Sequence, residues 1–215
     1  MAGSLPRHIY HLAEAANWPS IQKLGLLPAE ALIDRLGIAG RDRARLLGEQ
    51  RRRHVVLSGG CEIRDQRPMP AGALSTCLVG MTPAAWYRLI NSYVFFWLDP
   101  GRMNRQRAAC GSRPQVILVI DAAALVGQYG NRAALTPINT GHARRRPAAR
   151  GAATFVPYRA WLASGWTTEA AALGTKLRPS SHPPAELAIA GSIPDIARYL
   201  VRTVELAADM PFIPA

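Results

Sequence analysis

Hydrophobic positions along this chain gather into short dense runs, separated by polar links rich in glycine and proline. The clearest run, QVILVI at 115–120, is continuously apolar and suits the centre of a sheet. YVFFWL at 93–98 is β-branched and aromatic, ends at Asp99-Pro100-Gly101, and predicts a second buried strand. Residues 9–13 and 186–190 predict two more strands, with shorter ones at 55–57 and 154–156. Helical patterns cover 18–24 (stopped by Gly25), 29–36, 41–53 and 102–109. Another covers 83–91, where Thr82 suits the N-cap and Pro83 the first helical position. Residues 74–79 are ambiguous, and 196–204 fit either a helix or a strand. Arginine, proline and glycine make 136–153 a loop, and TKLRPSSHPP at 175–184 reads the same way.

This order lacks the regular strand–helix alternation and the GxGxxG fingerprint of doubly wound nucleotide-binding folds. No repeat is visible, so the expectation is one compact α+β domain over residues 1–215. Hydrophobic residues at 49% and charged residues at 19% describe a globular chain. No apolar run is long enough to span a membrane, and no secretory pattern opens the chain, so cytoplasm is expected. Cys61, Cys77 and Cys110 are odd in number and scattered, which predicts buried free thiols rather than disulfides or a metal site.

Charge adds a partner class. The net charge of +12 favours contact with phosphates, whether of a nucleic acid or of a pyrophosphate-bearing cofactor. Only two of the basic residues, Lys23 and Lys176, are lysines. Arginine with abundant Ala, Gly and Pro is also what a GC-rich genome produces.

The opening segment, HIYHLAEAANWPSIQKLGLLP from His8 to Pro28, carries the most specific chemistry. A strand ends on His11, a link holding Asn17 follows, and a helix with Ile21 stops at Gly25-Leu26. This pattern resembles the first motif of ADP-ribosyltransferases, closest to the poly(ADP-ribose) polymerases and also to the DarT toxins that modify DNA bases. The resemblance implies a split antiparallel β-sheet core with flanking helices. It implies that His11 hydrogen-bonds the adenosine ribose of NAD and that the Leu12 backbone holds the nicotinamide amide, with Asn17 beside them. Leu12 replaces the polymerases' glycine, which spares a backbone contact but narrows the pocket.

Two later segments resemble the rest of the pattern. VFFWLD at 94–99 is similar to the strand bearing the nicotinamide-stacking aromatic, which puts Phe95 or Phe96 in that role. AELAI at 185–189 is similar to the strand opened by the catalytic glutamate, here Glu186, after a proline-rich loop. Breaking the nicotinamide–ribose bond leaves positive charge on the sugar and a neutral leaving group. One carboxylate therefore serves, by stabilising that charge and accepting the incoming nucleophile's proton. Taken singly, each residue has an ordinary reading: His11 and the Phe pair as core, Glu186 as a solvated strand end.

Arginines extend the expectation. Arg51, Arg52 and Arg53 follow a helix where the DarT toxins carry a basic residue, and Arg53 is the first choice for NAD phosphates. Arg64 and Arg67 around Asp65 read as a surface ion-pair cluster. Arg144, Arg145 and Arg146, with Asn139 in the INTG turn, are candidates to bind an acceptor polyanion. Pro184 stands where arginine-modifying toxins carry Glu or Gln, which disfavours a protein-arginine acceptor.

These features predict an NAD-dependent mono-ADP-ribosyltransferase of toxin type acting on DNA or RNA, with an antitoxin or ADP-ribose hydrolase as possible partner. The alternatives are an RNA 2′-phosphotransferase-like enzyme, which uses NAD without a catalytic glutamate, and a non-catalytic basic nucleic-acid-binding module.

Overall fold

A computed structural model describes residues 4–207 and 210–214. It is an α+β protein built on a seven-stranded sheet. Its strands are β1 (His8–Glu14), β4 (Tyr93–Trp97), β5 (Gln115–Asp121), β6 (Ala133–Thr136), β7 (Val156–Pro157), β8 (Glu186–Ala190) and β9 (Leu200–Leu206). Every pairing is antiparallel, in the order β7-β6-β8-β4-β1-β5-β9. The expected apolar runs occupy the centre, and β5 is buried along 115–120 as its composition demands.

The two halves of the sheet meet narrowly. β1 pairs with β5 along all seven of its residues, from His8↔Asp121 to Glu14↔Gln115. Against β4 it has one registered pair, Tyr10↔Trp97. Beyond that pair, residues 11–14 have no ladder partner in β4. The gap is where the site lies.

Helices cover both faces. One face packs Ile9, Phe96, Leu118, Leu135 and Leu187 against Ile21 of α1 (Trp18–Leu24), Leu125 of α7 (Ala122–Tyr129) and Trp161 of α8 (Tyr158–Ser164). α9 (Thr167–Leu173) follows α8 after the positive-φ Gly165. The other face carries two clusters. Phe95 and Ala188 meet Leu74 of α4 (Ala71–Ser75) and Trp86 of α5 (Pro83–Asn91), while Tyr10 and Trp97 meet Met103 of α6 (Pro100–Ala109). Thr82 caps α5 through Ala85 N–H at 3.2 Å, as its sequence indicates.

A satellite core joins α2 (Ala29–Arg35), α3 (Gly40–Gly48) and the hairpin of β2 (Val55–Val56) and β3 (Glu62–Ile63) through Ile33, Leu47 and Ile63. Several expected elements shift. The helix expected over 41–53 ends at Gly48, so Arg51–Arg53 lie in extended chain beyond it. Residues 196–204 divide into a 3-10 turn at Ile196–Tyr199 and the start of β9. Of the strand expected at 154–156 only Val156 is strand, in β7, and residues 74–79 leave α4 for a bridge between Leu78 and Arg150.

Cys77 and Cys110 are buried and Cys61 is partly exposed; all three are free thiols. Among the described residues, no helix is long and apolar enough to cross a membrane. None of their His, Cys, Asp and Glu side chains form a group able to hold a metal ion.

Candidate functional site

The gap between β1 and β4 opens into a cleft of about 180 Å³. Its walls come from β1, from α1 and the turn after it, and from the β3 strand with Arg51 and Arg64. His11, Leu12, Asn17, Ile21, Gly25 and Leu26 all line it. Those are the positions of the opening motif, and contacts to β3 and to Ile193 hold them together. Asn17 binds the β3 backbone on both sides: its side-chain amide donates to Glu62 C=O at 2.8 Å and its carbonyl accepts Glu62 N–H at 2.7 Å. That anchors one wall. At Gly25 φ is +77°, and a Cβ there would lie 2.2 Å from the Ile193 carbonyl oxygen. Only glycine lets Leu26 bridge to Ile193 and close the back of the cleft.

His11 is held in one orientation. Its Nδ1 donates to the Phe95 carbonyl at 2.8 Å, and its ring lies 5.6 Å from that of Phe96. Burial lowers its pKa to about 4; the Phe95 hydrogen bond opposes this, and the Arg64 charge adds to it. The ring is therefore neutral at pH 7, with the Nε2 lone pair available as an acceptor. A hydroxyl donor, such as that of a ribose, matches it.

Two arginines, Arg51 and Arg64, and two glutamates, Glu14 and Glu62, line the cleft, so its formal charges balance. Arg64 reaches Glu14 at 2.8 Å, and Glu14 is also bonded by Arg113 at 3.3 Å and by Gln115. The Glu14 side chain is 2% exposed. Burial pushes its pKa up, but the arginine charges and hydrogen bonds outweigh that and hold it below the usual carboxylate range. The surface cluster expected for Arg64 is therefore an interior network, and Asp65 bonds the Arg67 backbone N–H instead. Arg51 binds three neutral acceptors: the Leu46 carbonyl at 2.7 Å, the Arg64 carbonyl at 3.0 Å and Asn91 Oδ1 at 3.0 Å. Burial lowers its pKa to about 10, so its charge persists at pH 7. Arg53, the first sequence choice, is exposed and lines a different groove; Arg51 and Arg64 are the arginines of this cleft.

The remaining candidates lie elsewhere. Phe96 is 0% exposed beneath the His11 ring. Phe95 points to the opposite face, with its ring 6.1 Å from Tyr93 and 6.2 Å from Phe155. Neither ring lines the cleft. Glu186 opens β8 opposite Trp97, which is opposite Tyr10. Registered partners share a sheet face, so Glu186 projects with Tyr10 and Trp97, on the side away from His11. Glu186 is 4% exposed. Oε2 accepts from Thr136 Oγ1 at 3.0 Å, Thr140 N–H at 3.1 Å and Thr140 Oγ1 at 2.9 Å. Burial pushes the Glu186 pKa up to about 7, against those bonds and the charge of Arg102.

Thr140 belongs to the INTG turn, so Asn139 is brought beside Glu186; its own side chain accepts Gly141 N–H at 2.9 Å, as a turn residue does. Arg144, Arg145 and Arg146 are exposed, and Arg144 donates to the Arg67 carbonyl at 3.1 Å. Arg145 and Arg146 both have positive φ, a strained conformation for non-glycine residues. Thr136 and Thr140 escaped the sequence reading, since nothing but the fold places them on Glu186.

The arrangement defines an α+β protein with a charged cleft beside β1, where its sheet diverges, and a buried, weakly acidic carboxyl two strands away. A family model described as "Family of unknown function (DUF7002)" matches residues 7–200, and the chain belongs to that family. No curated protein matches it.

Proposed function

We propose that this protein is an NAD-dependent mono-ADP-ribosyltransferase whose acceptor is a nucleic acid. The carrying observation is that all six positions of the opening motif line one cleft, around a neutral histidine whose free nitrogen can accept a ribose hydroxyl. The single-pair junction of β1 and β4 agrees with a split sheet, and it leaves the Leu12 backbone without a β4 partner beside the cleft. Arg51 and Arg64 suit a pyrophosphate.

The cleft bounds what is held there. At about 180 Å³ it lies below the roughly 300 Å³ at which small-molecule pockets begin, so it takes one nucleoside half of NAD. The other half would extend past Arg51 into the open. Glu186, with a pKa of about 7, is suited to take the proton that an acceptor loses. It projects from the sheet face away from His11 and Thr140 holds its Oε2 from two sides, so reaching the bound sugar requires the start of β8 and the turn 139–141 to rearrange together. Nucleic acid as acceptor is supported by the net charge of +12 and by the exposed Arg144–146 loop next to that turn.

One observation favours a second reading. The cleft lining holds Arg51 and Arg64, with Glu14 and Glu62 beside them but without Glu186, and an RNA 2′-phosphotransferase-like enzyme would need no catalytic glutamate there. Incubation with NAD and mixed nucleic-acid strands separates the two. Transfer that is lost in Glu186→Ala, with NAD binding retained, supports the transferase. Full activity of that variant on a 2′-phosphorylated RNA moves the assignment to phosphotransfer.

A further inference from the structure

A second concavity, larger than the His11 cleft, is an open groove of about 800 Å³ between the end of α3, the segment 49–55 and the start of α5. Four arginines line it (Arg45, Arg51, Arg52 and Arg53), with Glu49 as the one acid in the lining. Arg88 adds to the rim: its Nη2 lies 3.1 Å from where a Cβ would stand on Gly48, a lining residue. Arg52 and Arg53 are exposed and form no ion pair among the described residues. Between these charges the surface is apolar, with Leu46, Val55, Ala71 and Pro83. Arg51 lines both this groove and the His11 cleft, so the two adjoin.

We propose that this groove binds a single polynucleotide strand and leads it to the His11 cleft. The unpaired guanidinium groups of Arg52 and Arg53 meet phosphates, while Arg45 stays bridged to Asp42 and Arg51 to its three acceptors, and the apolar floor meets the faces of bases that no complementary strand covers. A duplex shows such a surface only its phosphates and leaves the floor without a partner. The free N–H groups of α5 contribute little, since Pro83 has none and Ala85 N–H is taken by Thr82. The groove's charge carries the binding. The basic loop adjoins its far end: Tyr87, in the lining, donates to the Met69 carbonyl at 2.6 Å, and the neighbouring Pro68 carbonyl accepts Ala143 N–H at 2.8 Å.

This inference rests on the transferase reading only for what is done to the strand, so binding is measured without NAD. Fluorescence anisotropy of labelled single-stranded DNA and RNA across a salt series compares the full chain, Arg52→Ser/Arg53→Ser, and a control that removes the same charge elsewhere, Arg159→Ser/Arg198→Ser. Both pairs are exposed, and circular dichroism confirms folding. The groove variant should bind about tenfold more weakly at low salt, with a salt slope flatter by about 0.7 per lost contact, while the control stays near the parent. Equal losses in both variants, or no loss in the groove variant, overturn the proposal. So does polyglutamate competing as well as the oligonucleotide, or duplex binding more tightly than the single strand. Strand binding that depends on Arg52 and Arg53 without any ADP-ribose transfer leaves the groove standing and removes the transferase.

Discussion

Replacing Glu186 by glutamine removes a charge that the fold tolerates poorly. The carboxyl is buried among β8, β6 and the turn 139–141, and burial moves its pKa from 4.5 to about 7 against three hydrogen bonds and Arg102. Thr136 has one hydroxyl proton to divide between the Ile138 carbonyl at 2.9 Å and Glu186 Oε2. A protonated carboxyl relieves that shortage by donating to Thr136. The folded state thus binds the Glu186 proton more tightly than the unfolded chain does. Stability from this group is full below the unfolded pKa and is lost as pH rises through about 7. The shift corresponds to roughly 3 kcal/mol in total, of which about 2.5 kcal/mol develops between about pH 5 and about pH 8. Glutamine is neutral throughout and keeps an oxygen for the Thr140 donors. Urea denaturation of the parent and of Glu186→Gln at a series of pH values reads the difference directly. The variant should gain on the parent steadily across that interval. A gap that stays flat would refute the reasoning and show an ordinary, solvated carboxylate.

Three further outcomes follow from the same geometry. Gly25→Ala forces a methyl group against the Ile193 carbonyl at a φ of +77° and should cost about 3 kcal/mol in denaturant unfolding; a loss under about 1 kcal/mol would mean the turn relaxes freely. Glu14→Gln leaves Arg64 and Arg113 without their carboxylate and should cost about 3 kcal/mol at neutral pH. Because the folded Glu14 pKa is lowered, that gap is present above 4.5 and closes as pH falls through the folded value; a gap independent of pH would contradict it. NAD affinity should hold steady as pH falls through 6.5 and drop only near the His11 value of about 4, and a midpoint near 6.5 in calorimetric titration would show that His11 is not the buried acceptor described.

How much the sequence disclosed depended on whether the information was local. The opening motif spans 11–26, a short stretch whose residues reach one cleft, although β3, Phe95 and Ile193 hold Asn17, His11 and Leu26 there. β4, β5 and β8 announce themselves as apolar runs, and Thr82 and Pro83 mark the start of α5 by capping chemistry. Helices α7, α8 and α9 and strand β6 did not stand out. Their alanine-rich segments, such as AAALVGQY and TTEAAAL, show no strong apolar stripe, and tertiary packing of Leu125 and Trp161 decides them. The run RRR hid the end of α3, since Arg51 turns inward to the Leu46 carbonyl while Arg52 and Arg53 stay outside. The faces of Phe95, Phe96 and Glu186 were illegible for another reason. They depend on strand register, and a step of one residue exchanges the two sides of a sheet.

The central claim is that the His11 cleft binds NAD for transfer of ADP-ribose to a nucleic-acid strand. The most direct measurement incubates the protein with NAD labelled in its adenylate half and with single-stranded DNA or RNA, following both released nicotinamide and label on the strand. Nicotinamide release with label on the strand is expected, both abolished in His11→Ala together with NAD binding, and transfer alone lost in Glu186→Gln. Neither NAD binding by calorimetry nor nicotinamide release with any strand would contradict it.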